Sequence, residues 1–189
     1  MATFEQAFQI TMGNEGGYSD NPNDRGGETW KGIARNFWAT WPGWQIVDKI
    51  KAQNPPNLNA ALSANASLQP LVLTFYKENF WDTESLDNLN NQQTANQLFD
   101  IAVNMGTGTA SGMLQSGINS IQPNAVVVDR QVGPKTINAA NSLNPENLYN
   151  AVCNLRKQRY LQIIASNPSQ AIFQHSWMSR ITPYNTALS

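Results

Sequence analysis

The sequence predicts a mainly α-helical fold with one small β-hairpin near residues 18–33. Three observations carry that expectation. Apolar residues recur at helical spacing from the start, with Phe4, Ala7, Phe8, Thr11 and Met12 at the i, i+3, i+4, i+7 and i+8 positions of one stripe. The second half consists of long regular segments separated by short breaks. Strand character is confined to "TWKGI" at 29–33, which follows "SDNPNDRGGE", a loop dense in turn formers. With 189 residues, 41% of them hydrophobic and six of them tryptophan, the chain has the material for a real core.

Taken in order, residues 3–15 read as a helix that Gly16-Gly17 stops, because glycine accepts the left-handed conformation that ends helices. "ARNFWATWPGW" carries an aromatic helical turn interrupted by Pro42. "IVDKIKAQ" reads as helix, "NPPNLN" breaks the chain, and "LQPLVLTFYKENFWD" reads as a helix entered at Pro70. The polar break "SLDNLNNQQ" marks a boundary between a lobe of residues 1–92 and a helical lobe of residues 93–189. In "TANQLFDIAVNMG" the apolar positions run almost around the axis, the mark of a buried helix, and both lobes are expected to share it as core. "TASGMLQSGINSI" is a helix rich in small residues that let a neighbour approach. A loop and a short helix after Gly133-Pro134 follow. "PENLYNAVCNLRKQRYLQIIA" is a long amphipathic helix with proline at its start, and "SQAIFQHSWMSRI" is the last.

Composition narrows the function. Charged residues make up 13%, while Asn, Gln, Ser and Thr are plentiful, which suits a neutral, hydroxyl-rich ligand such as a glycan. With a net charge of −1 and no block of Lys or Arg, nucleic acid is not expected as a partner. Cys153 is the one cysteine and reads as a small buried hydrophobe. His175, the one histidine, has no ligand spacing around it and reads as structural, so no metal centre is expected. The N-terminus lacks the basic and apolar regions of a signal peptide, and no apolar run is long enough to span a bilayer.

One side chain sits oddly. A helix advances about 100° per residue, so Glu15, eleven positions after Phe4 and seven after Phe8, lies about 20° from each around the axis. It shares their apolar stripe and falls in the last turn, near the partial negative charge of the exposed carbonyls. Burial and dipole both oppose ionisation, and a carboxyl kept protonated near neutral pH can donate to a leaving group. Asp24 follows across a Gly/Asn-rich loop, and Thr29 opens the strand beyond it. An acid on one side and a water held on the other is the arrangement glycoside hydrolysis needs.

The run Glu15-Gly16-Gly17-Tyr18, Asn21-Pro22, Asp24, Gly26-Gly27-Glu28-Thr29 and Gly32-Ile33 resembles glycoside hydrolase family 108. The resemblance continues at "FYKENFWD", "QLFDIAVNMGTGTASGMLQ" and "VGPKTINA", in the same order and over nearly the whole chain. Members of that family are N-acetylmuramidases, often encoded by phages as endolysins, and some are labelled secretion activators. The resemblance implies a lysozyme-like fold with Glu15 as catalytic acid. A wider similarity to phage-type lysozymes, with Glu, Asp and Thr in that order around a hairpin, implies roles for Asp24 and Thr29. Here Thr29 stands one residue nearer Asp24 than in that pattern, and Trp30 stands where Asn is usual. The second half resembles a peptidoglycan-binding domain, whose "DGxIGPKT" loop appears as "DRQVGPKT", with Arg130 in place of glycine.

The expected chemistry is cleavage of the β-1,4 bond between N-acetylmuramic acid and N-acetylglucosamine. Glu15 protonates the bridging oxygen, Asp24 stabilises positive charge or activates water, and Thr29 positions the water. With no third acid close to Glu15 the expected outcome is inversion, and no cofactor is implied. The alternative is a non-catalytic peptidoglycan-binding protein supporting secretion or phage lysis. An enzyme made in the bacterial cytoplasm without a signal peptide would act on the wall after release, with a holin as partner in export. Four further residues are candidates for substrate contact. Tyr18 either meets a sugar or packs beneath the hairpin, and Trp30, with Trp38, Trp41 and Trp44, either paves a glycan groove or joins the core. Asp100 and Asn104, at i and i+4 on an apolar helix, either line the cleft floor or form a structural hydrogen-bond network. Trp81 and Phe99 are assigned to the core. Lys135 and Arg130 either touch peptide-stem carboxylates or are solvated charges. Alternation along the strand turns Glu28 away from Thr29's side, which ranks Asp24 above it as second carboxylate.

Overall fold

The computed structural model describes residues 1–12, 16–21 and 25–188. Helices dominate the described residues, and the one sheet is a small three-stranded antiparallel one. The chain divides into two compact units, Phe8–Asn79 and a second made of Met1–Ala7 with Phe80–Ser189.

In chain order the first helix, α1, spans Phe4–Met12. Its stripe behaves as its spacing predicts: Phe4, Ala7 and Thr11 are buried. The unit of residues 8–79 then lays down β1 (Tyr18–Asp20), β2 (Glu28–Trp30) and β3 (Ile33–Ala34). The expected hairpin is present and has gained a third strand. Lys31 and Gly32, at φ 44° and 77°, turn β2 into β3, and two successive positive φ values match the right-handed twist of the strands. Lysine is a poor residue for that conformation. The turn is held because the Lys31 carbonyl accepts from Tyr76 Oη at 2.8 Å and its ammonium donates to Gln69 Oε1 at 3.0 Å.

Helices α2 (Gly43–Ala52), α3 (Leu58–Ser63) and α4 (Leu68–Tyr76) pack on one another and complete this unit. Pro42 does not interrupt a helix, as the sequence suggests. It stands at the N-cap of α2, where a missing N–H costs nothing, and residues 35–37 and 39–40 are turns. Trp41 and Trp44 are buried edge to face, and each indole N–H reaches a carbonyl, of Leu71 and Trp38 respectively. The expected helix 68–82 changes character at Lys77, where a π-helical turn runs to Trp81.

The other unit is a helical pack. Trp81, Phe4 and Phe99 meet edge to face in its core, as assigned from the sequence. Helices α5 (Gln92–Met105), α6 (Thr107–Ile121) and α8 (Pro145–Ser166) pack mutually. The small residues of α6 do what their size allows: a Cβ on Gly117 would sit 3.3 Å from Val152 Cγ2 of α8. Helix α7 (Pro134–Ser142) starts at its proline as expected. The last predicted helix is split, with a 3-10 turn at Pro168–Phe173 before α9 (Gln174–Ser179). No helix among the described residues is long and apolar enough to cross a membrane.

Candidate functional site

The sheet is the structural frame of the block from Tyr18 to Ile33. Register pairs Tyr18 with Trp30, Ser19 with Thr29 and Asp20 with Glu28. Since directly paired residues share a face, Tyr18, Asp20, Glu28 and Trp30 occupy one side and Ser19 and Thr29 the other. Upstream, Gly17 is needed for space. A Cβ there would lie 1.9 Å from Asn59 Oδ1, which accepts the Tyr18 backbone N–H at 2.5 Å. The left-handed conformation expected of the Gly16-Gly17 pair is absent at Gly17.

On the first side Glu28 is the centre of a charge cluster. Tyr18 Oη and Lys51 Nζ donate to its Oε1 at 2.6 and 2.5 Å, and Arg35 Nε lies 2.9 Å from its Oε2. Arg35 also pairs with Asp48 at 2.7 Å and stacks its guanidinium 4.4 Å over the Trp44 ring. Burial alone would raise the Glu28 carboxyl, but the hydrogen bonds from Lys51 and Tyr18 and the nearby cations hold it below the ordinary carboxylate value. Burial and the bond to Glu28 push the Tyr18 phenol up to about 12. Glu28 is thus a fixed anion, which removes it as a proton donor.

Glu15 and Asp24, the expected acid and second carboxylate, lie outside the described residues. Thr29 is half-buried on the other side of the sheet, and its hydroxyl donates to the Gly27 carbonyl at 3.1 Å. That leaves its oxygen lone pairs to accept a hydrogen bond from water. Tyr18 is half-buried, its hydroxyl committed to Glu28 and its ring 5.1 Å from Lys51 Nζ. Trp30 requires a correction. It is fully buried, at 0% exposure, so it packs in the core and has no face for a sugar.

Asp100 requires another. Both carboxylate oxygens of Asp100 are taken by guanidinium groups, Oδ2 by Arg156 and Oδ1 by Arg180, the latter at 2.8 Å. Arg156, itself 0% exposed, spends its other N–H groups on Gln97 Oε1 at 2.9 Å and Tyr160 Oη at 3.0 Å. Gln97 in turn donates to the Arg180 carbonyl. Asn104 is exposed and bonds back to the Asp100 carbonyl at 2.7 Å. For Asp100 the structural network holds; Asn104 stands outside it, exposed one turn further along α5.

Sequence reasoning missed a carboxyl with the acidity sought. Glu84 is 1% exposed, and the Ser111 hydroxyl lies 2.9 and 2.8 Å from its two oxygens. Burial pushes this carboxyl up to about 7, against the lowering effect of the Ser111 bond. It is sealed from any substrate, which removes it as a catalytic donor. Glu84 falls between the predicted helix ending at Asp82 and the polar break starting at Ser85, where the sequence carries no signal of burial. Cys153 is buried as expected, its thiol raised to about 11 by that burial. Among the described residues no cluster of three or more His, Cys, Asp and Glu could hold a metal ion.

Comparison with known proteins adds two family matches. The model described as glycosyl hydrolase 108 matches residues 8–106, and that described as a predicted peptidoglycan domain matches residues 109–182. Among solved structures, that of Brucella abortus SagA aligns with a TM-score of 0.63 at 24% identity, covering 94% of this chain and 88% of the other. At that identity the likeness is one of fold, and it agrees with the mainly helical, lysozyme-like architecture. No curated protein gives a significant match.

Proposed function

This chain belongs to the glycosyl hydrolase 108 family, and from that premise we propose that it is an N-acetylmuramidase of the lysozyme type. It hydrolyses the β-1,4 bond between N-acetylmuramic acid and N-acetylglucosamine in peptidoglycan. The observation that carries the reading is the order of the two matched domains, the hydrolase over residues 8–106 followed by the peptidoglycan domain over 109–182. Residues 1–92 act as the catalytic lobe and residues 93–189 as the wall-binding lobe.

Glu15 is the general acid. Its sequence spacing continues a stripe whose described members Phe4, Ala7 and Thr11 are buried, and the role asks of it what burial without a cation gives a carboxyl, a proton kept near neutral pH. It protonates the bridging oxygen as positive charge develops on the sugar. Asp24 stabilises that charge or activates the water. Thr29, its own proton engaged by Gly27, accepts from the water and orients it. No cofactor takes part. The enzyme is made in the cytoplasm and reaches the wall through a holin-type pore.

Purified walls test this directly. Wild-type protein clears them, and Glu15→Gln, which keeps the shape but cannot donate a proton, loses clearing by about 10²–10⁴-fold while still binding. Undiminished clearing by that variant overturns the assignment of Glu15. Mass spectrometry of the fragments should show muramic acid at the new reducing ends, and glucosamine there overturns the bond assignment.

A further inference from the structure

The helical unit carries a groove that the hydrolytic mechanism does not use. It has a volume of about 350 Å³ and lies between α6, α8 and the loop before α7. On α8 the lining positions Leu155, Gln158, Arg159 and Gln162 fall at i, i+3, i+4 and i+7, so one face of that helix forms a wall. On α6 the opposing wall is opened by Gly108 and Gly112. Arg130 lies in the space those glycines leave, and a Cβ on Gly112 would meet its Cγ at 3.5 Å.

Arg130 is held there deliberately by the fold. Its φ is 63°, in the left-handed region that L side chains seldom adopt. The loop is fixed regardless, because Gln115, 1% exposed, accepts the Arg130 backbone N–H at 2.9 Å and donates to Asp129 Oδ1 at 2.7 Å. That second bond, with the Gln131 N–H at 3.0 Å, occupies Asp129 and holds its carboxyl below the usual range. Arg130 and Arg159 make no ion pair with any described residue, and no residue lining the groove is acidic. Two uncompensated guanidinium groups, side-chain amides at Gln158 and Gln162, and an apolar edge at Val128 therefore line one concavity.

We propose that this groove binds the carboxylate-bearing peptide stem of peptidoglycan, with Arg130 and Arg159 as the anion contacts. The ligand class rests on the reading of peptidoglycan as substrate. The chemistry favours the stem over the sugar chain, since guanidinium groups recognise carboxylates through paired N–H donors and amides match a peptide backbone.

The test uses the full-length chain and three probes: the stem tetrapeptide L-Ala-D-Glu-meso-diaminopimelate-D-Ala, its carboxyl-amidated form, and a neutral chito-oligosaccharide. In amide NMR the free-acid peptide should move the signals of Gly108, Gly112 and residues 158–162. The double substitution Arg130→Gln with Arg159→Gln should weaken that binding about tenfold or more, and amidation of the peptide should do the same. Lys157→Gln, exposed on α8 outside the groove, should leave it unchanged. The amide spectrum of each variant verifies folding. Absence of peptide binding, equal binding of the amidated peptide, or full binding by the folded double variant each overturns the proposal. A chain that clears walls without binding the stem sinks this inference alone; one that binds the stem but never clears walls sinks the hydrolase reading and leaves the groove in place.

Discussion

In the sheet, Glu28 is met by an ammonium, a guanidinium and a phenol; in the helical unit, Glu84 has, among the described residues, a single hydroxyl for company. Both carboxyls lose solvation, and in both burial pushes toward the neutral form. The partners decide the outcome. The hydrogen bonds from Lys51 and Tyr18, with the charges of Arg35 and Lys51, outweigh burial at Glu28 and keep it charged, whereas Ser111 cannot, and Glu84 rises to about 7. A protonatable carboxyl in this protein is therefore one that is buried and without a cation. That is the condition the general-acid role sets for Glu15, and it is a condition on neighbours more than on residue type.

The comparison breaks most sharply where a compensated carboxylate is turned into an uncompensated one. Arg156→Met removes the fully buried guanidinium from Asp100 and leaves Gln97 and Tyr160 without their partner. The expected loss of stability is about 3–5 kcal/mol, the usual cost of breaking rather than replacing a buried pair. Urea denaturation at pH 7 measures it. Adding Asp100→Asn should recover part of the loss, because a neutral amide no longer needs the cation. A loss below about 1 kcal/mol for the single variant would mean Arg180 alone compensates Asp100.

These cases also show what the sequence made legible. Helices α1, α5, α6 and α8 follow their periodicity, which is local. Helix α3 was missed because six residues give too little period, although Asn57 caps it by accepting from the Ala60 N–H at 3.0 Å. The third strand was missed because Lys31-Gly32 is no standard turn signal, and its positive φ values are held by Tyr76, 45 residues away. At Asp100 the sequence showed two polar groups on an apolar helix, but the partner that decides their role, Arg156, lies 56 residues further on. The Trp30 ring looked the same as any exposed one until the sheet buried it. Of the proposed catalytic residues, Glu15 and Asp24 rest on helical spacing and motif and lie outside the described residues, while Thr29 is placed on the sheet.

Glu84→Gln has the next largest effect, and its sign reverses intuition. In the folded chain the carboxyl titrates at about 7, against an ordinary value of 4.5. Between those values the folded state holds a proton that the unfolded state has released, so stability falls as pH rises through that window and levels off above it. Glutamine carries no such penalty, and its amide can bond Ser111. The variant should match wild type below pH 4.5 and exceed it by about 3 kcal/mol above pH 7, an order-of-magnitude figure from the size of the shift. Denaturation midpoints at pH 4 and pH 8 give the two limits. A variant no more stable than wild type at pH 8 would show that Glu84 is charged in the fold and has found a partner.

Lys51→Met completes the set with the smallest change and the opposite pH dependence. Glu28 titrates below its ordinary value of 4.5, so the stability it contributes is present above that value and disappears as pH falls through the lower, folded one. Methionine keeps the apolar stem but removes the ammonium that donates to Oε1 at 2.5 Å. Arg35 and Tyr18 remain, and Lys51 is 35% exposed, so solvent screens much of what is lost. The expected cost is about 0.5–1 kcal/mol at pH 7 in low salt, shrinking at pH 3 and in 1 M NaCl. The Tyr18 phenol should respond too, because it is raised to about 12 by burial and by its bond to Glu28. Without Lys51, which favours the phenolate, ultraviolet titration should place Tyr18 higher still. An unchanged tyrosine titration with unchanged stability would show that Arg35 alone keeps Glu28 charged, and the contrast with Glu84 would then rest on one cation in place of two.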